Sequence, residues 1–77
     1  MVMNYVQMPK VIIYRFRLYD IATDEYVPSR RWATMETIRR IGGEAFDDTA
    51  TEIDDSLLSH DLPGMTDRDF KPRTRRF

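Results

Sequence analysis

Between Lys10 and Asp20 the chain reads KVIIYRFRLYD, dense in β-branched and aromatic residues and free of glycine, a pattern that predicts a β-strand. Alternation sends Ile12, Tyr14, Phe16 and Leu18 to one face, expected to be the core. Val11, Ile13, Arg15, Arg17 and Tyr19 go to the other, expected to be covered near its start and wet near its end. DIATDE follows, with Asp20, Thr23 and Asp24 suited to a turn. The returning strand is EYVPSRRWA, residues 25–33. Pro28 has no N–H to give a ladder, so this strand belongs at an edge or a bulge.

ATMETIRRIGG carries the signals of a short capped helix. Thr34 is placed to cap it, Glu36 lies in the first turn, Arg39 and Arg40 lie in the last, and Gly42 follows at the position where a left-handed residue ends a helix. Met35, Ile38 and Ile41 form a narrow apolar stripe that must lie on a sheet, because so short a helix is not stable alone. Glu36, Thr37, Arg39 and Arg40 form the expected outer face. EAFDDTATEIDD predicts a third strand centred on Thr49 to Ile53, with Thr49, Thr51 and Ile53 on one face and Phe46 entering the core. SLLSHDLPG reads as a turn or one helical turn ended by Pro63-Gly64. From Met65 the chain is polar and charged, and flexibility is expected.

The pattern therefore predicts an α+β domain of order ββαβ over residues 9–62, with an irregular leader at 1–8 and a flexible basic tail at 63–77. A chain of 77 residues buries only about 60% of its unfolded surface, so its core is marginal alone. With no cysteine there is neither disulfide nor thiolate metal site, and oligomerisation is the expected supplement. Charge supports that expectation. The net charge of -1 hides a segregation: residues 10–41 hold seven basic and four acidic side chains, residues 44–61 hold seven acids and no Lys or Arg, and residues 62–77 hold five basic and two acidic ones. An acidic strand can lie against a basic ribbon of another chain, or of its own. No apolar run approaches the ~20 residues of a membrane span, and the start lacks a secretory signal's pattern, so a cytoplasmic protein without a membrane role is expected.

Catalytic and metal-binding readings find little. Asp47-Asp48 and Asp54-Asp55 match no calcium loop. His60 is the only histidine, and Ser56 or Ser59 with His60 and Asp61 are neighbours in a short turn, unable to face one another as nucleophile, base and orienter must. Gly42 and Gly43 follow a helix and cannot form a phosphate-cradling loop between a strand and a helix. No cofactor is expected, and no enzyme.

The arginines offer more. Arg15, Arg17, Arg30, Arg31, Arg39 and Arg40 are candidate partner-facing residues, joined by Trp32, whose other reading is a plug between sheet and helix. A basic ribbon can enter a nucleic-acid groove, but Tyr14 and Phe16 fall on the core face and the pI is about 5.7. Gly42-Gly43 is a cap and turn, or a hinge for exchanging the third strand between chains. The runs YRFRLYDIATDEY, SRRWAT and GGEA resemble a group of short, uncharacterised bacterial proteins. That resemblance implies a small α+β fold assembled as an intertwined homodimer, with no assigned activity. The expected function is a non-catalytic homodimeric interaction module, intertwined or strand-exchanged and open to another protein partner; nucleic-acid binding through the basic ribbon and tail is the alternative.

Overall fold

The computed structural model describes residues 9–72. The expected leader and the last five residues of the tail lie outside them. β1 (Lys10–Asp20) is the long central strand, and β2 (Glu25–Thr34) returns antiparallel along one side of it. Helix α1 (Met35–Arg40) follows, then β3 (Glu44–Ala45) and β4 (Thr51–Asp54), both pairing antiparallel with the other side of β1. The fold is α+β, among the described residues a four-stranded antiparallel sheet with one short helix. Its order is ββαββ.

The extra strand comes from a break where one strand was expected. β3 reaches only Phe16 and Arg17, and β4 only Lys10 to Ile13. Between them Asp47–Thr49 form a 3₁₀ turn, as aspartates favour turns over ladders. Thr49 thus lies outside the strand predicted around it. Its hydroxyl accepts the Arg15 N–H at 2.8 Å and donates to the Phe46 carbonyl at 2.6 Å, so a side chain satisfies β1 where the ladder is interrupted.

The core cluster is Phe16, Ala33 and Ile38, with Tyr14, Leu18, Ala45 and Met65 packed against it. Strict alternation fails at the start of β1. Ile13 is fully buried, although its expected face was the mixed one, while Ile12 is 43% exposed. The reason lies in the register. Val11 and Ile13 stand opposite Ile53 and Thr51 of β4, and buried Ile53 gives that face its own apolar row. β2 is bulged where Ser29, Arg30 and Arg31 together oppose Phe16. The Ser29 hydroxyl accepts the Arg31 N–H there.

The helix forms as its caps direct. The Thr34 side chain accepts the Thr37 N–H, Glu36 and the two arginines occupy the expected turns, and Gly42 has φ +78°. Thr37, expected outside, is buried, because the chain returns over it at Gly64. Ile41, expected on the inner stripe, is exposed.

Residues 64–70, in the stretch expected to be a flexible tail, form a strap along the outer edge of β2. Thr34 N–H donates to Gly64 C=O, Thr66 N–H to Trp32 C=O, and Asp69 N–H to Arg30 C=O, at 2.8 to 3.0 Å. Met65 makes an antiparallel bridge to Ala33. Thr66 is completely buried, its hydroxyl accepting Trp32 N–H and donating to Asp67 C=O. A polar sequence can therefore be ordered through its hydrogen bonds.

Candidate interaction surface

Arg15, Arg17 and Tyr19 occupy the face of β1 away from the Phe16 cluster. Across the register they meet Trp32, Pro28 and Tyr26. The side chains stack accordingly. The Arg15 guanidinium lies 5.6 Å from the Trp32 ring centre, and that of Arg17 lies 4.3 Å from the Tyr26 ring centre, distances at which a cation is drawn to an aromatic face. Tyr26 meets Tyr19 edge to face at 5.4 Å. The interleaving of arginine and aromatic residues in the sequence thus produces a ladder on the wet side of the hairpin. Its rings come from β2 and the end of β1, not from Tyr14 and Phe16.

Each arginine of this group also has a polar partner. Arg17 donates to Glu44 (Nε to Oε1 2.8 Å), and Arg15 to the Ser29 carbonyl at 3.4 Å. Arg31 donates to the Thr66 carbonyl at 2.9 Å. Arg30 grips Asp69 with two nitrogens on two oxygens. Lys10 lies 3.6 Å from Asp54, so the acidic third row of the sheet lies against the basic strand of its own chain.

Trp32 is not a plug between sheet and helix. Its neighbour Ala33 faces the helix, whereas Trp32 lies under Arg15 and donates its indole N–H to the Phe70 carbonyl at 3.1 Å. Arg39 and Arg40 end the helix, on the other side of the sheet, and do not join the ladder. Gly42 and Gly43 have separate structural duties: Gly42 takes the left-handed turn, and a Cβ on Gly43 would stand 3.0 Å from Arg17 O and 3.1 Å from Leu18 Cδ2.

His60 and Asp61 are exposed, beside an open hollow of about 490 Å³ whose walls include Ser56, Ser59, Asp67 and Phe70. The Ser59 hydroxyl accepts Asp61 N–H at 3.1 Å, the local bond of a turn. Among the described residues, no three acidic or histidine side chains gather as a metal site, and no helix is long and apolar enough to cross a membrane.

Sequence reasoning missed the strap residues Thr66, Asp69 and Phe70, for which the only signal was the hydrogen-bonding capacity of their side chains and backbone. It also left unremarked the apolar far end of the hairpin. Tyr19, Tyr26 and Val27 are exposed there, and Ile21 is 86% exposed.

The hydrogen bond from Arg30 holds the Asp69 carboxyl below its ordinary range, and Asp69 in turn raises the Arg30 guanidinium. A lowered folded-state value means that the pair stabilises the fold above the usual carboxylate range and ceases to do so as pH falls through the lowered value. Both side chains stand largely in solvent, so the effect is small. Trp32 emission followed from pH 7 into acid is expected to show the strap loosening further in the native chain than in Asp69→Asn, which has already lost the pair; superimposable titrations would contradict this.

Compared with protein-family models, curated proteins and solved structures, the chain finds no match.

Proposed function

We propose that this chain is a non-catalytic interaction module that works as a homodimer, with the far half of the β1–β2 hairpin as its contact arm. The observation that carries this reading is the hairpin's lack of support beyond Leu18. β3 ends its pairing at Arg17 and the helix packs on the Phe16 cluster, so among the described residues the sheet from Tyr19 to Val27 consists of two strands. A two-stranded ribbon is marginal in water and gains stability from a cover. This one exposes Tyr19 and Tyr26 on one face, Val27 on the other and Ile21 in the turn, apolar groups on both faces that a second chain would cover. The small core adds motive for a second chain.

Nucleic-acid binding gains less support, because the candidate arginines of the hairpin already hold Glu44, Asp69, the backbone or an aromatic ring. Light scattering on a size-exclusion column at low and high salt tests the proposal. The expected mass is that of two chains. A single-chain mass throughout overturns it, and salt-sensitive capture of mixed-sequence DNA or RNA by that single chain would favour the alternative.

A further inference from the structure

The hairpin's outer edge determines how two copies could meet. Arg15 N–H bonds the Thr49 hydroxyl and Arg15 C=O accepts Phe46 N–H, so the backbone groups of Arg15 point toward β3 and β4, away from β2. In an antiparallel ladder the direction alternates along the strand, and directly opposed residues share it in mirror sense. Trp32, Pro28 and Tyr26, which oppose Arg15, Arg17 and Tyr19, therefore direct their backbone groups outward. Trp32 confirms this, as its N–H and C=O both bond Thr66 of the strap.

The strap reaches down β2 only as far as Arg30, whose carbonyl takes Asp69 N–H. Among the described residues, no backbone group bonds the outer edge from Glu25 to Ser29. Its outward groups are Tyr26 N–H, Tyr26 C=O and Pro28 C=O, because proline has no N–H to present. Proline also selects among registers. A two-fold pairing that opposed Pro28 to Pro28 would set each Pro28 carbonyl against a ring nitrogen with no hydrogen to give. One centred on Val27 gives each Pro28 carbonyl the Tyr26 N–H of the other copy, so two bonds form about the axis.

Charge agrees with that register. Asp24 and Glu25 flank one end of the open edge; at the other stand Arg30, whose charge Asp69 already shares, and Arg31, which holds only the neutral Thr66 carbonyl. Antiparallel pairing of identical strands turns the acidic end of each toward the basic end of its twin. The same docking brings together two exposed Val27 side chains on one face, and Tyr26 with Pro28 on the other.

From this geometry we propose, building on the homodimer reading above, that a second copy of this chain adds its β2 edge to this one. Residues 25–29 pair antiparallel about a two-fold axis at Val27 to form a continuous sheet through both molecules. Such an interface is isologous, each copy giving and receiving the same bonds.

The chain has no cysteine, so one introduced thiol reports unambiguously. In the Val27-centred register, Val27 forms a non-hydrogen-bonded pair with its twin, with Cα atoms about 4.5 Å apart, within the range a disulfide spans. Val27→Cys and a control, Ile41→Cys at the exposed helix end, are oxidised gently in the full chain while light scattering gives the mass. The expected result is a two-chain mass with Val27→Cys linking at least about tenfold faster than the control, because pairing replaces encounter in dilute solution. A two-chain mass without faster linking overturns the edge pairing and leaves the homodimer standing. A single-chain mass overturns both.

Discussion

A chain ending at Leu62 is expected to lose most or all of its cooperative unfolding transition, whereas one ending at Pro72 keeps it. The ten residues between them were expected to be loose, so the comparison isolates the strap. Its removal deprives β2 of the Gly64 carbonyl, of Thr66 N–H and of Asp69 N–H. It also takes the Thr66 hydroxyl from Trp32 N–H and the Phe70 carbonyl from the indole. Each such bond is worth about 1 kcal/mol net. Met65 leaves the core cluster as well, and losing the contacts of a partly buried methionine costs about 1 to 2 kcal/mol more. The total, on the order of 5 kcal/mol, equals the whole stability of many domains of this size. Urea unfolding followed by Trp32 emission and far-ultraviolet circular dichroism measures it. Equal midpoints for the two chains would mean that the strap only decorates a fold complete by Leu62.

That contrast also indicates which parts of the structure were legible in the sequence. The helix was readable to its caps, because Thr34, Glu36, Arg39, Arg40 and Gly42 act within a few residues of where they stand. β1, β2 and their turn were readable for a similar reason, since alternation and turn chemistry are local. The split of the third strand was not. It depends on the Thr49 hydroxyl reaching Arg15 N–H, 34 residues away in the chain, and no local pattern distinguishes a threonine in a ladder from one that replaces it. The strap was hidden for a related reason: hydropathy records what a side chain loses in water, but Thr66 is buried because its hydroxyl and backbone are satisfied by Trp32 and Asp67. At the candidate surface, alternation placed Arg15 and Arg17 together correctly. It did not reveal that Trp32 would share their face, because whether Trp32 turns toward the helix or away depends on the β1–β2 register.

The second large effect is expected from a single methyl group. In Gly64→Ala the added Cβ would lie 1.9 Å from Thr37 Oγ1, 3.1 Å from Thr37 Cβ and 3.3 Å from Thr34 Oγ1, on a residue with φ +79°. The hydroxyl has little room to yield. Thr37 is buried and its Oγ1 accepts from Thr34 Oγ1 at 3.0 Å, while Thr34 Oγ1 accepts the Thr37 N–H that caps the helix. The strap cannot readily retreat either, because Gly64 C=O holds Thr34 N–H. A non-glycine residue at this φ costs about 1 kcal/mol, and forcing atoms into a packed site adds about 1 to 3 kcal/mol. Gly42→Ala separates the two contributions. Its φ is nearly the same, +78°, but nothing lies within 4 Å of the added Cβ, so it should show the backbone part alone. Gly64→Ala is therefore expected to be the more damaging by about 1 to 3 kcal/mol, and the excess should shrink in a Thr37→Ala background, where the closest clashing atom is gone. Equal losses at the two glycines would mean that the strap does not cross the helix cap closely enough to lock onto it; an excess that depends on Thr37 would identify the contact by which the end of the chain fastens the helix to the sheet.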